Sequence, residues 1–424
     1  MEYIKSRIVP KQKTMRKQSH ENLHISANKT PNNVLGIKSF KAFYLKIVGL
    51  ATILLISGYT ARAHMEQGQI SKGKLSQAEQ ETREKQTTRN QKKYSLKTIA
   101  FYNLENLFDT INQPDTFDED RTPEGKDRWT QKKFNHKIGQ LAWVIERLGN
   151  PMSTTQKGPD ILGVCEVENQ AVLEFLIGHP LLRSENYQII HKDAPDKRGI
   201  DVALIYKPTS FIVDSFNSHS LYLYDRLQRR KFTRDQLVVM GYLDGAPLWL
   251  IINHWPSRSG GTQRSSPFRI KAALLNLKII DSIRRINPNA KIIGMGDFND
   301  GPTDPSFKKV LQTIPVPTRL KKTSDSSYHK LINPMEPLFK KGIGSLAYRD
   351  QWSLFDQFYL SDNWLNEAEN SYVFKKVAVF NHPRLITKAG RYKGYPFRSY
   401  SAGQYQGGFS DHFPVQLFIA KEVQ

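Results

Sequence analysis

The sequence predicts a layered α/β domain running from about residue 95 to the C-terminus. Three observations carry this. Short apolar, β-branched runs recur along the stretch, as in Lys291-Ile-Ile-Gly-Met-Gly-Asp297. Stripes at helical spacing fall between those runs, with Ile138, Leu141, Ala142, Ile145 and Leu148 on one and Ile270, Ala273, Leu274 and Leu277 on another. No fixed-period repeat is visible, which sets solenoids and propellers aside.

Taken in order, a strand starts at Lys97 and ends in the polar groups Asn103, Glu105 and Asn106. An acidic loop over 110–130 leads to a helix at 132–148, which Gly149-Asn150-Pro151 stops. Residues 159–169 form the next strand and end in Glu166 and Glu168; a short helix follows through Leu173 and Leu176. Strands are expected at 187–191 and 200–206, the second closed by Pro208. Apolar runs at 236–243 and 247–253 flank Asp244-Gly245, a hairpin turn signal. A basic Gly/Ser loop at 257–267 then precedes a helix at 268–285. That helix feeds the strand ending in Asp297, Asn299 and Asp300, broken by Gly301-Pro302. Residues 303–350 read as an irregular excursion over a sheet, and 352–361 as a strand with Asp356 embedded. A loop at 381–408, rich in Arg, Lys, Tyr and Gly, precedes Ser410-Asp-His412 and a last strand from Val415 to Ala420.

One acid at one strand end is ordinary turn chemistry. Here Glu166, Asp297, Asp356 and Asp411 join Asn103, Asn299, His254 and His412 at strand ends. Strands that share a sheet would bring these groups to one edge. Carboxylates leave water only when something compensates them. An oxygen-rich set without Cys–His pairing suits a hard cation such as Mg2+, with Mn2+ able to substitute, rather than zinc. Two histidines flanked by aspartates offer acid and base functions near neutral pH. Together these suit hydrolysis of a phosphate ester.

The motifs Asn103-x-Glu105-Asn106, Val164-Cys-Glu166, Arg198-Gly-Ile-Asp201, Asn253-His254-Trp255, Gly296-Asp-Phe-Asn299, Phe355-Asp356 and Ser410-Asp-His412 stand in one chain order. In that order they resemble the endonuclease/exonuclease/phosphatase superfamily, with its DNase I-like fold. The resemblance implies a four-layer α/β/β/α sandwich with two central mixed β-sheets and the site at their common edge. It implies Glu166 as main metal ligand, with Asn103 beside it and Asp411 in support. It implies His412 as catalytic base or phosphate-contacting histidine, oriented by Asp356, and Asp297 as water-activating or leaving-group acid. Asn299 resembles a phosphate ligand. His254 resembles the second histidine of the DNase I and sphingomyelinase branches, where abasic-site endonucleases usually carry tyrosine. Arg198 and Arg258 are either phosphate-binding or plain surface residues, Glu105 and Glu168 either site acids or solvated neighbours. Trp255 reads as packing.

The chain ahead of the domain has a different character. Residues 1–63 read as a basic leader and secretory signal: an apolar run, 47–59, is too short for a bilayer span of roughly 20 residues and ends at Ala61-Arg62-Ala63. An uncleaved anchor is the alternative. Residues 64–94 read as a polar, disordered linker. The expectation is export to the periplasm or medium, with a mature start near His64. The net charge is +22, of which residues 1–96 supply +12 from 18 Lys/Arg and 6 Asp/Glu. The domain is therefore basic in its own right and favours anionic partners. A single cysteine, Cys165, excludes an internal disulfide framework.

The leading expectation is a nuclease on DNA or RNA. The alternatives are a phosphatase or a phospholipase C or sphingomyelinase-type hydrolase, and then an inactive binding module. No protein partner is expected, and the domain is expected to act as a monomer. Candidate basic tracks are Arg258 with Arg264, and Arg384, Lys388, Arg391, Lys393 and Arg398, with Tyr392, Tyr395 and Tyr400 as base-stacking platforms. No compact apolar loop suited to a lipid surface stands out.

Overall fold

The computed structural model describes residues 93–149, 157–317, 330–366 and 371–423. The leader, the signal and nearly all of the linker lie outside the described residues. Among those described, no helix is long and apolar enough to cross a membrane.

Twelve strands form two six-stranded sheets. They are β1 (Lys93–Leu107), β2 (Ile161–Val167), β3 (Gln188–His191), β4 (Asp201–Tyr206), β5 (Phe211–His219), β6 (Gln236–Leu243), β7 (Ala246–His254), β8 (Ile292–Asp297), β9 (Leu331–Ile332), β10 (Asp356–Ser361), β11 (Val373–Val379) and β12 (Val415–Val423). The first sheet runs β11-β12-β1-β2-β4-β3 and the second β9-β10-β8-β7-β6-β5. Each is antiparallel except for one central parallel pair, β1 with β2 and β7 with β8.

Strand alternation sorts the core into layers. Ile99 and Phe101 of β1 face the second sheet and pack in one cluster with Leu250, Ile252, Ile293 and Met295. Ala100 and Tyr102 face the other way, onto Phe134, Leu141, Val172 and Leu173 of helices α1 (Gln131–Arg147) and α2 (Gln170–Ile177). Helix α3 (Thr262–Ile286) covers the far face of the second sheet through Ala272, Ala273, Ile279 and Ile283. This is the α/β/β/α sandwich. The two sheets meet closely: a Cβ on Gly163 would come within 2.6 Å of Met295 Sδ and would force that side chain to shift.

The details depart from the sequence reading in three places. Helix α3 begins at Thr262, not 268, with Pro267 inside it. Pro267 is the sixth residue of the helix, past the first turn, so it forgoes a bond to the Gln263 carbonyl, and a proline there does not mark the helix start. Asp356 is not embedded in a strand but opens β10, after a short strand Gln351–Ser353 and a break at Leu354-Phe355. Strands β5, β9 and β11 were not expected; all three are sheet edges, and β5 buries only Phe211.

Candidate active site

The topology explains why the polar groups converge. Strands β1, β2, β7 and β8 run parallel at the centres of their sheets, and their C-terminal ends carry Asn103, Glu166, His254 and Asp297. The neighbouring strands run the opposite way, so they deliver groups at their starts. Asp356 opens β10 directly opposite Asp297, and His254 faces Asp297 on the other side. Asp411 and His412 precede β12, whose Val415 pairs with Phe101. One edge of the sandwich therefore receives groups from six strands.

At that edge Asn103 Nδ2 donates to Asp297 Oδ2 at 3.2 Å. His254 Nε2 lies 3.8 Å from Asp297 Oδ2 and 3.9 Å from Glu166 Oε1. His412 Nε2 lies 4.0 Å from Asp297 Oδ2. His412 Nδ1 and Asp356 Oδ2 are 2.7 Å apart, and Ser345 Oγ donates to the same carboxylate oxygen at 2.6 Å. The ligand atoms of Asp297, Asp356 and His412 fall within 4.8 Å of one another, as do those of Cys165, His254 and Asp297.

The motifs divide their labour residue by residue. In Gly296-Asp-Phe-Asn299, Phe298 packs edge-on against Trp255. Asn299 takes a left-handed conformation, φ 51°, and donates from Nδ2 to the Trp255 carbonyl at 3.0 Å. Glu166 is also left-handed, φ 58°, and accepts from the Asn106 amide at 3.0 Å. A carboxylate held in a conformation that costs a non-glycine residue free energy is a feature of functional sites. Beneath His254, Asn276 Nδ2 donates to Asn253 Oδ1 at 2.8 Å, which also accepts from Trp255 Nε1 at 3.0 Å. Trp255 is buried packing, as expected.

Electrostatics separate the two histidines. Burial pushes His254 well below its ordinary value, helped by the charges of Arg234, Arg198 and His412. It is a neutral imidazole. Burial also opposes charge on His412, but Asp356 and Asp297 outweigh it and hold His412 well above the usual range. Burial raises the Asp297 carboxyl toward neutrality, although His412 works against the shift. The charges therefore favour the imidazolium form of His412.

Arg258 and Arg198 have different fates. Arg258 donates to the Asn299 carbonyl at 2.8 Å and pairs with Asp304 at 2.6 Å and Asp300 at 3.2 Å, stacked 4.5 Å from the Phe355 ring. Its charge braces the turn after β8. Arg198 is half exposed, lies 3.6 Å from Asp196, and remains a rim cation. Arg398 stands 3.6 Å from Asp411 on the other rim. Two of the proposed stacking tyrosines are also otherwise engaged: Tyr395 is buried and bonded to Asp350, and Tyr400 donates to the Asp127 carbonyl. Tyr392 is exposed. Glu105 and Glu168 are not solvated neighbours. Glu168 is buried, and burial pushes its carboxyl up to about 8.

Lys137 is a participant that sequence reading missed. It lies fully buried on the apolar face of α1, and its Nζ donates to Ser399 Oγ and the Phe409 carbonyl at 2.6 Å each and lies 3.5 Å from Glu105 Oε2. The Ser399 amide donates to the same Glu105 oxygen at 2.6 Å. This amine ties β1 to the loop that carries Arg398 and Asp411. The signal was present: a lysine three residues after Phe134 and four before Leu141 sits on the buried stripe. Lys137→Met is expected to destabilise the fold by about 3 kcal/mol, because removing one partner strands a buried carboxylate. Urea unfolding checks it; an unchanged midpoint would show the bridge to be idle.

Comparison with known proteins follows the same lines. Residues 98–421 match the endonuclease/exonuclease/phosphatase family. No curated protein matches this sequence. Among solved structures, an endonuclease/exonuclease/phosphatase family protein from Bacteroides thetaiotaomicron is similar at 17% identity, covering 78% of this chain and 97% of that one, with TM-score 0.45. A mannosyl-6-phosphatase of Bacteroides thetaiotaomicron VPI-5482 is similar at 16% identity, 76% and 98% coverage and TM-score 0.43. TDP2 of D. rerio complexed with single-strand DNA product is similar at 14% identity, 77% and 99% coverage and TM-score 0.43. The family match spans nearly the whole described region and contains every residue gathered at the sheet edge, so the chain belongs to the endonuclease/exonuclease/phosphatase family.

Proposed function

We propose that this chain is an exported, Mg2+-dependent phosphodiester hydrolase acting on nucleic acid, with Mn2+ able to substitute. The observation that carries the reading is the facing of a neutral His254 and a protonated His412 across Asp297, with Glu166 beside them.

The residues fit a hard divalent cation. Glu166, Asn103 and Asp411 would hold it, and all three offer oxygen donors. Burial pushes the Cys165 thiol well up, so it stays protonated and is no competing thiolate ligand. Such a cation, when bound, neutralises charge on the phosphoryl group. The chain's own groups do the rest. His412 donates from Nε2 to a phosphoryl oxygen or leaving oxygen, its ring fixed by Asp356 and Ser345. Asp297, with a carboxyl raised by burial, accepts a proton from the attacking water. Asn103 holds that carboxylate in place. Arg198 and Arg398 attract the polyanion from either rim.

The deciding experiment is a panel of plasmid DNA, RNA, sphingomyelin, phosphoinositides and a sugar monophosphate, each with Mg2+ and with EDTA. Metal-dependent cutting of DNA or RNA supports the reading. Turnover confined to a lipid or monoester would replace it with the phospholipase or phosphatase reading. Export has its own test. N-terminal sequencing of protein from outside the cytoplasm should start near His64; intact residues 1–60 in a cytosolic fraction would refute it.

A further inference from the structure

Residues 220–235 connect β5 to β6 at the same end of the sheet as the site. Leu237 pairs with Ile252, and Asn276 bridges the side chains of Gln236 and Asn253, one residue before His254. Within this connection, Leu223 pairs with Lys231 and Tyr224 with Arg230 in a short antiparallel hairpin. Its root is fixed. Leu221 and Leu223 are buried with Trp249 and Ala272. Arg234, also buried, donates to Asp196 at 3.0 Å and to the Trp255 carbonyl at 2.8 Å.

The outer part is different in kind. Tyr222, Tyr224, Leu227 and Phe232 are exposed at 57%, 42%, 72% and 38%. Cations lie against the rings. The Arg230 guanidinium sits 4.5 Å from the Tyr222 ring and 4.6 Å from Phe232. Lys231 lies 5.0 Å from Phe268, and Lys271 lies 5.9 Å from Tyr224. Residues 225–231 carry four cations, Arg226, Arg229, Arg230 and Lys231, against one carboxylate, Asp225. Exposed aromatic groups rarely gather without a use. Aromatic faces interleaved with cations suit an unpaired nucleic-acid strand, whose bases stack while its phosphates are neutralised.

We propose that this hairpin is the docking arm for a single nucleic-acid strand whose reacting phosphate lies between His254 and His412. The proposal rests on the nucleic-acid reading above and names where the strand goes. A membrane-inserting tip is the competing use, but it needs a contiguous apolar face. Leu227 is the lone aliphatic residue among 225–231, and two of the rings already lie under a guanidinium.

The test uses the full chain carrying His412→Ala, so that the probe is not cut, and a fluorescent oligothymidylate. Adding Tyr222→Ala with Phe232→Ala should weaken binding about tenfold or more. Adding Arg226→Gln with Arg230→Gln should flatten the slope of log affinity against log salt by about 1.4, if both cations meet phosphates. In the otherwise unaltered chain, neither pair should change turnover of bis(4-nitrophenyl) phosphate, which is too small to reach the hairpin. Unchanged strand binding, in a protein that does cut nucleic acid, overturns the docking arm and leaves the nucleic-acid reading standing. Failure of the parent chain to cut or bind nucleic acid, with the small diester still hydrolysed, overturns both. Variants that keep strand binding but lose binding to phosphatidylserine vesicles would give the hairpin to a membrane instead.

Discussion

His412→Ala is expected to lower kcat by at least about 10²-fold, the range for a positioned proton donor or acceptor. The imidazole is held from behind by Asp356 at 2.7 Å, and that carboxylate is itself held by Ser345 at 2.6 Å. Its free nitrogen faces Asp297. The sign of the pH effect follows from the charges. Asp356 and Asp297 raise His412 against the effect of burial, so the imidazolium persists at neutral pH. Asp356→Asn removes one of those charges, lowers the His412 pKa and moves loss of the donor form to lower pH. The alkaline limb of the kcat/KM profile should therefore shift toward acid. A purely structural role for Asp356 would lower the whole profile without moving that limb. Wild-type turnover by a folded His412→Ala protein would place the reacting centre elsewhere.

The site was legible because its construction follows strand polarity. A buried strand must be apolar along its length, so carboxylates and amides stand out where it ends. Parallel central strands put those ends at one edge, so Asn103, Glu166, His254 and Asp297 group from the sequence alone. Edge strands are less legible. β5 pairs on one side only and exposes most of its residues, so nothing in Phe211–His219 resembles a core run. Lys137 was hidden for a different reason. Its partners, Glu105, Ser399 and Phe409, come from distant segments, and no local pattern reports them. The same holds for Arg258. A basic residue in a Gly/Ser loop reads as free for substrate until Asp300 and Asp304 are seen to claim it. The hairpin at 220–235 holds Tyr222, Tyr224 and Phe232 around a basic run, but only the fold shows that its rings stay exposed while Leu221 and Leu223 are buried.

Glu166→Gln should abolish most activity at ordinary Mg2+ and recover part of it as Mg2+ or Mn2+ is raised. The amide keeps the shape of the carboxylate and removes the charge a hard cation needs. Even groups one step removed from a metal cost about 10- to 100-fold in affinity when lost, so a ligand should cost no less. The thermal signature is more telling than the rate. Glu166 is one of the charges that, behind burial and Asp356, push Asp297 up. Removing it relieves repulsion in the metal-free protein, so the metal-free Tm should hold or rise. The gain on adding metal should shrink in the opposite sense. At a free Mg2+ of 100 times the wild-type Kd, binding stabilises the wild type by about 2.7 kcal/mol. A variant 100-fold weaker would gain only about 0.4 kcal/mol from the same relation. Thermal melts of both proteins across a Mg2+ series measure this directly, without any substrate. A Glu166→Gln protein whose Tm rises with Mg2+ as the wild type does, or a wild type fully active in excess EDTA, would remove Glu166 from the metal site.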